Sequence, residues 1–139
     1  MNRTSLGINP PKEWPEMLQK AFMDVAPKGL KYVSTMMCGT CSCEGSYKFA
    51  FAALARRKRG GAPPSQLDLD SCMSAQEPGT PHFAILSFEK GFHGRLLGAL
   101  STTRSSKLHK VDFPAFDWPG ATPPQYKYPL DQNVEYNKE

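Results

Sequence analysis

Two short segments of the sequence combine residue types that can bind an anionic ligand. Gly39-Thr40 lies where a predicted extended segment meets a predicted helix. Glycine lets a ligand approach the backbone closely, the free N–H groups of a first helical turn attract anions, and threonine adds a hydroxyl. A phosphate is the natural ligand of such a turn, although most Gly-Thr pairs before helices are ordinary caps. Farther along, Arg95 can bind a carboxylate through two parallel hydrogen bonds, and Phe92 can stack on a flat ring.

Four cysteines form a second chemical signal. Cys38 and Cys41 flank the Gly-Thr pair, Cys43 follows directly, and Cys72 lies beyond a loop rich in proline and glycine. Two thiolates can bind one metal ion or cluster, but a complete zinc site needs about four ligands. A site shared between two chains and inert buried cysteines therefore both remain open. A thioredoxin-like redox pair is less favoured, because it would need a βαβ unit and a different pair of residues between the cysteines.

The elements that must position these residues can be predicted from periodicity and from turn residues. A 3- and 4-residue spacing of apolar side chains, with Pro15 in the first turn, predicts an amphipathic helix at the N-terminal side. The predicted elements are a helix over Trp14–Val25, a short strand or extended segment over Leu30–Met37, a helix over Cys41–Arg59 ending at Gly60, a buried strand over His82–Phe88, and an irregular proline-rich segment over Lys110–Pro129. This order predicts an α/β fold with a parallel sheet.

Composition excludes several classes of protein. The chain has 139 residues, a formal net charge of +4 and 11% aromatic residues, which is too aromatic for a disordered chain. No apolar run is long enough to cross a bilayer, so we expect no membrane partner. Because the basic residues are scattered apart from Arg56–Arg59, which fits a solvated helix end, we expect no nucleic acid partner. Three clustered cysteines without a secretory segment favour a reducing compartment.

Three longer segments carry a resemblance to a known family. The stretches MMCGTCSCEGSYK, SFEKGFHGR and HKVDFPAFDWP resemble the 4-aminobutyrate (GABA) aminotransferases of the class III, pyridoxal-phosphate-dependent group. The resemblance extends over nearly the whole chain. It implies that residues 1–139 are an incomplete part of the large, cofactor-binding domain of a fold type I transferase, an α/β domain with a mixed, mostly parallel sheet flanked by helices.

The resemblance also implies roles for individual residues. Gly39 and Thr40 match the residues that hold the cofactor phosphate, and Phe92 matches the aromatic residue stacked on the cofactor ring. Arg95 matches the arginine that binds the substrate carboxylate. The implied reaction moves the amino group of 4-aminobutyrate to 2-oxoglutarate.

Other implied properties concern assembly. Cys38 and Cys41 match the pair that helps to hold a 2Fe-2S cluster between two subunits, and such clusters take about four thiolates. The resemblance further implies a homodimer and a mitochondrial matrix location, although no transit peptide is visible. One departure is Cys43-Glu44-Gly45-Ser46, where the family usually has Asn-Glu-Asn-Ala.

No catalytic residue is assigned within this chain. Schiff-base chemistry needs a reactive lysine, and in the family it lies downstream of the matching segment. None of Lys48, Lys90 and Lys107 stands in the matching context. We therefore expect the 139-residue chain to be inactive alone. Two alternatives remain: a small metal- or RNA-binding module, and a truncated non-catalytic isoform that pairs with full-length subunits.

Overall fold

The computed structural model describes residues 10–138, which form four α-helices and one pair of short parallel strands. The sheet pairs β1 with β2 in the register Ser87 with Gly120 and Phe88 with Ala121. In chain order the elements are α1 (Trp14–Ala21), α2 (Gly39–Lys58), α3 (Gln66–Cys72), β1 (Ser87–Phe88), α4 (Leu97–Thr102) and β2 (Gly120–Ala121), with 3-10 turns at Met23–Val25, Lys107–His109 and Tyr136–Lys138. The α/β class and the parallel pairing agree with the prediction.

Helix α2 is the longest element, with 20 residues, and it confirms the predicted helix in this region. It begins at Gly39 rather than at Cys41, because Cys38 already has the extended backbone of an N-cap residue. At the other end Gly60 has φ +62°, and the N–H groups of Gly60 and Gly61 donate to the carbonyls of Arg57 and Arg56. This is a Schellman motif, which places glycine where the left-handed conformation ends the helix.

The first predicted helix is shorter than its apolar periodicity indicates. Helix α1 ends at Ala21, where Phe22 leaves the helical region at φ −128°, and the chain continues as a 3-10 turn to Val25. Its apolar face does not reach a core in the described residues, since Phe22 is 53% and Val25 77% exposed. The spacing predicted the helix but not its end, and the described residues do not bury the predicted apolar face.

Both predicted strands need correction. For the segment 30–37, predicted as a short strand or an extended segment, the strand alternative is wrong, since the segment contains no paired strand and Tyr32 is 94% exposed. Of His82–Phe88 only the last two residues form β1, and Leu86 is 57% exposed, so the expectation of a strand buried on both faces is wrong. The partner β2 comes instead from the proline-rich segment that was predicted to be irregular. A strand needs a hydrogen-bonding neighbour, and within residues 10–138 the only one is two residues long.

The buried interior is small and polar. Ala99 and Leu100 are the buried apolar residues among those described, and they lie beside buried Ser101, Thr102 and Thr103. The accessible surface is 11635 Å² for a mass of 15.4 kDa. A compact monomer of this mass exposes about 7,200 Å². The large apolar side chains are therefore arranged for contacts that the described residues do not supply.

Two cationic side chains, Arg104 and Lys110, connect α4 and the sheet to neighbouring segments through hydrogen bonds. The guanidinium of Arg104 donates from Nε to Ser87 Oγ at 2.8 Å and from Nη2 to the carbonyl of Trp118 at 2.6 Å, which ties β1 to the segment before β2. Lys110 Nζ donates to the carbonyls of Leu100 and Thr103 at 2.7 and 2.9 Å, at the C-terminal end of α4. Burial, and then the charge of Arg104, lowers the pKa of Lys110.

Replacing Lys110 with methionine should loosen α4. The substitution removes a charged donor from these carbonyls, and a buried carbonyl that loses its hydrogen-bond donor costs about 1–3 kcal/mol. Amide hydrogen exchange of Thr103, whose N–H donates to Ala99, should then accelerate by about tenfold to hundredfold. Lys107→Met is the matched control, since Lys107 is exposed. Equal exchange rates in the two variants would contradict this role for Lys110.

Candidate functional site

The structure brings the Gly39-Thr40 turn against the loop that carries Phe92 and Arg95. The point of contact is Gly94, which is buried and has φ +122°. A Cβ atom on Gly94 would lie 2.7 Å from Cβ of Thr40, closer than side chains approach one another. Glycine is therefore required here both by the backbone conformation and by the close approach of α2. The two segments that the sequence singled out separately are therefore in direct contact at Gly94 and Thr40.

The buried hydroxyl of Thr103 holds this loop through two hydrogen bonds to its backbone. Its Oγ1 donates to the carbonyl of Gly94 at 2.9 Å and accepts from the backbone N–H of His93, also at 2.9 Å. Both backbone groups lie between Phe92 and Arg95, so the hydroxyl sets the direction in which the two side chains leave the loop. The role of Thr103 was missed from the sequence, where it is one of several serines and threonines in a row.

One face of α2 connects the turn to α4. Thr40, Glu44 and Tyr47 are spaced by four and three residues and so lie on the same side of the helix. Glu44 Oε1 accepts from the N–H of Ala99 at 2.7 Å, in the first turn of α4, and the Tyr47 hydroxyl shares a hydrogen bond with Thr102 Oγ1 at 2.6 Å. Glu44 of α2 therefore binds a second helix, α4. The spacing of Thr40, Glu44 and Tyr47 by four and three residues was the sequence signal that these side chains share one face.

The N-terminus of α2 fits a phosphate group. Cys38, its N-cap residue, makes no side-chain capping hydrogen bond, and the first turn contains no acidic residue. A Cβ atom on Gly39 would meet no other atom within 4 Å, so the space in front of the turn is open. Backbone N–H groups at the positive end of a 20-residue helix, with space for a ligand, are the donor set that an anion requires.

Phe92 and Arg95 are both exposed and are joined by a residue that sequence reasoning missed. The ring of Phe92, 54% exposed, packs edge-to-face on the ring of His109 with centroids 5.6 Å apart. Arg95 Nη2 lies 3.4 Å from Nε2 of the same histidine. Within residues 10–138 no carboxylate pairs with Arg95. Its guanidinium is thus available to an anionic ligand.

The two cysteines that flank the turn lie side by side. Their sulfur atoms are 3.6 Å apart and share a hydrogen bond; Cys38 is exposed and Cys41 half-buried. The backbone N–H of Cys41 lowers the pKa of Cys38, and the hydrogen bond with Cys38 raises the pKa of Cys41. Across residues 10–138 no three His, Cys, Asp or Glu side chains are grouped closely enough to hold a metal ion.

Comparison with known proteins shows where this arrangement belongs. A family model described as aminotransferase class-III matches residues 1–139. The chain belongs to the class III aminotransferase family. The family match agrees with the resemblance of the three longer segments and with the α/β fold class. In the described part of this class III aminotransferase segment, no helix has the length and apolar character needed to cross a membrane.

The relatives share one named activity. The segment is 55% identical to a 4-aminobutyrate aminotransferase of Dictyostelium discoideum over all of its own residues and 28% of the relative. It is 51% identical to a probable mitochondrial 4-aminobutyrate aminotransferase of Caenorhabditis elegans, over 99% of its own residues and 29% of the relative. The mitochondrial 4-aminobutyrate aminotransferase of Homo sapiens is 45% identical, with 100% and 28% covered. This class III aminotransferase segment thus spans just over a quarter of the relatives' length.

Proposed function

We propose that residues 1–139 form part of the pyridoxal-phosphate-binding domain of a 4-aminobutyrate:2-oxoglutarate transaminase. The observation that carries the proposal is the contact between Thr40 and Gly94, because it unites an open anion-binding turn with a loop that presents an aromatic ring and a free guanidinium. The names of the relatives supply the substrate. A phosphate, a flat ring and a carboxylate are the three chemical features that these groups match.

Each residue in the proposed site has a separate binding task. The backbone N–H groups of Gly39 and Thr40 donate to the cofactor phosphate, and the ring of Phe92 packs against the cofactor ring. When bound, pyridoxal phosphate supplies an electron sink for chemistry at the amine-bearing carbon. The 139-residue chain contributes binding and orientation to this chemistry.

Arg95 determines which amine reacts. Its guanidinium binds the carboxylate of 4-aminobutyrate, or of 2-oxoglutarate in the second half of the reaction, through paired charge-assisted hydrogen bonds. Anchoring the carboxylate fixes the distance to the amine at the other end of a flexible substrate. His109 contacts both Arg95 and Phe92 and holds the two side chains relative to each other.

The remaining parts of the transaminase are proposed to lie outside these residues. The reactive lysine and the acidic partner of the cofactor ring nitrogen match no position here, and the most buried lysine amine, that of Lys110, donates to backbone carbonyls. We also propose a homodimer and a mitochondrial location, in keeping with the mitochondrial names of several relatives. A 2Fe-2S cluster on Cys38 and Cys41 stays a prediction that needs two thiolates from a second subunit.

A chimeric enzyme tests the proposed phosphate site. In this enzyme, the transaminase chimera, residues 1–139 replace the matching segment of the Dictyostelium relative. The chimera should transaminate 4-aminobutyrate. Gly39→Ala should raise its dissociation constant for pyridoxal phosphate by about tenfold or more, because the added methyl group enters the space assigned to the phosphate. The melting temperature without cofactor should not change, since that space is otherwise open. Unchanged cofactor affinity would contradict the assignment.

The unmodified 139-residue chain gives the complementary result. We expect no transamination, and no stoichiometric covalent adduct after incubation with pyridoxal phosphate and borohydride, because no lysine stands in the family's reactive context. A specific adduct on one lysine would contradict this expectation. Stoichiometric zinc in the purified chain, or salt-sensitive RNA binding, would instead favour the alternative of a small binding module.

A further inference from the structure

We propose that His109 is a positioning residue with two separable contacts. Its Nε2 atom accepts a hydrogen bond from Arg95 and orients the guanidinium for the substrate carboxylate, while its ring supports Phe92 against the cofactor. The inference rests on the proposed function, because it takes Arg95 as the carboxylate-binding group and Phe92 as the cofactor-binding ring. It goes further in requiring one state of the imidazole, the neutral form with its hydrogen on Nδ1.

The state of His109 follows from the chemistry of its two polar neighbours. Arg95 Nη2 lies 3.4 Å from Nε2 of His109. A guanidinium carries donors and no acceptor, so Nε2 must supply the lone pair of this hydrogen bond. The ring hydrogen of the neutral imidazole is then on Nδ1, which lies 3.5 Å from the Ser105 hydroxyl oxygen, an atom that can accept it. A protonated imidazole would instead direct a second N–H at the guanidinium.

The backbone of His109 is held on both sides. His109 ends the 3-10 turn Lys107–His109, in which Ser106 Oγ accepts from the N–H of Leu108 at 3.3 Å and the Ser106 carbonyl accepts from the N–H of His109, also at 3.3 Å. The next residue, Lys110, binds carbonyls at the C-terminal end of α4. The imidazole therefore extends from a fixed backbone, as a side chain that orients others requires.

The cavity beside His109 gives the imidazole one charged neighbour. Arg95 and His109 line this cavity together with four leucines and Phe113. Lys107, Lys110 and Asp112 flank His109 in sequence, and none of the three lines the cavity. Protonation of His109 would therefore place a second positive charge beside Arg95, in a cavity whose other walls are apolar within residues 10–138. We expect the contact with Arg95 to be lost in that state.

Two substitutions in the transaminase chimera separate the two contacts. His109→Phe keeps an aromatic ring beside Phe92 but has no acceptor. At saturating cofactor, its KM for 4-aminobutyrate should rise about threefold to tenfold, and its dissociation constant for pyridoxal phosphate should stay within about twofold. His109→Gln keeps an amide acceptor but loses the ring, so the dissociation constant should rise about threefold to tenfold while KM stays within about twofold.

A matched control and the opposite outcome complete this comparison. His82→Phe makes the same replacement at an exposed histidine outside the proposed site and should change neither quantity. A merely structural role for His109 would raise KM and the cofactor dissociation constant together in both His109 variants. That result would overturn the proposal.

The pH dependence of KM tests the neutral imidazole without relying on the folding of His109→Phe. KM of the wild-type chimera for 4-aminobutyrate should rise about threefold to tenfold between pH 8 and roughly pH 5.5, because protonation removes the acceptor of Arg95. His109→Gln should lack this rise, since an amide does not titrate there. An equal rise in both proteins would assign the titration to another group and overturn the requirement for neutral His109.

Failure of this inference is distinguishable from failure of the proposed function. An inactive wild-type chimera, or an unchanged KM in Arg95→Gln, would overturn the proposed function and the role of His109 with it. If Arg95→Gln raises KM whereas His109→Phe does not, the proposed function stands and the role of His109 is wrong.

Discussion

Replacing Gly94 with valine should abolish activity of the transaminase chimera and lower the affinity for pyridoxal phosphate by more than about a hundredfold. The valine side chain would be forced into the positive-φ region and into Cβ of Thr40 at the same time. A strained backbone costs about 1–3 kcal/mol, and overpacking adds a similar amount. The loop must therefore move away from α2, which separates Arg95 and Phe92 from the anion-binding turn. Cofactor titration and the melting temperature of the chimera measure the two consequences.

A double-mutant cycle identifies the contact that is responsible. Gly94→Ala should show the same defect in weaker form, and adding Thr40→Ala should recover part of the lost stability, because two of the three atoms nearest the new methyl group are then removed. Strictly additive effects of Gly94→Ala and Thr40→Ala on unfolding free energy would show that Thr40 does not limit this position. That result would remove the structural basis for a shared site.

Replacing Arg95 with glutamine should raise KM of the chimera for 4-aminobutyrate by about tenfold to hundredfold. Glutamine keeps hydrogen-bonding capacity but loses the charge and the paired donors that a carboxylate binds. The KM of Arg95→Lys should lie between that of the wild-type chimera and that of Arg95→Gln, since lysine keeps the positive charge but lacks the planar, two-donor guanidinium. Steady-state kinetics with 4-aminobutyrate measure the change.

The substrate's own carboxylate provides the control for Arg95. Turnover of butylamine, which has the amine but no carboxylate, should be the same slow rate in the wild-type chimera and in Arg95→Gln. If both substrates lose activity equally, Arg95 contributes to the fold or to cofactor binding instead of to carboxylate recognition. Pyridoxal phosphate affinity, measured in parallel, distinguishes these two outcomes.

The parts of the fold that the sequence predicted are those encoded by neighbouring residues. Helix α2 and its end at Gly60 follow from side-chain spacing and from a glycine with positive φ. The strand predictions were wrong because strand pairing depends on residues distant in sequence. Strand β1 pairs with β2, which lies in a proline-rich segment that carries no strand pattern. The apolar run before β1 predicts burial, but burial requires neighbouring segments that cover the run. The described residues do not cover it, and Leu86 is exposed.

The same distinction applies to the site. Gly39, Thr40, Phe92 and Arg95 are recognisable because each belongs to a short motif with its own chemistry. The residues that hold them together are not, since their partners are distant in sequence: Glu44 and Ala99 are 55 positions apart, and Arg95 and His109 are 14 apart. A hydroxyl such as that of Thr103 acquires its role only when the fold delivers two backbone groups to it.

Helix α4 has a consequence for how this region assembles during synthesis. It has six residues, too few to persist in isolation, and both of its ends are satisfied by side chains from other segments, Glu44 at the start and Lys110 at the end. It can therefore become stable only after residue 110 has emerged from the ribosome and folded back. Thr103, at the C-terminal end of α4, holds the loop that carries Phe92 and Arg95. We therefore expect the ability to bind a ligand to arise in one cooperative step, without a partly formed site as an intermediate.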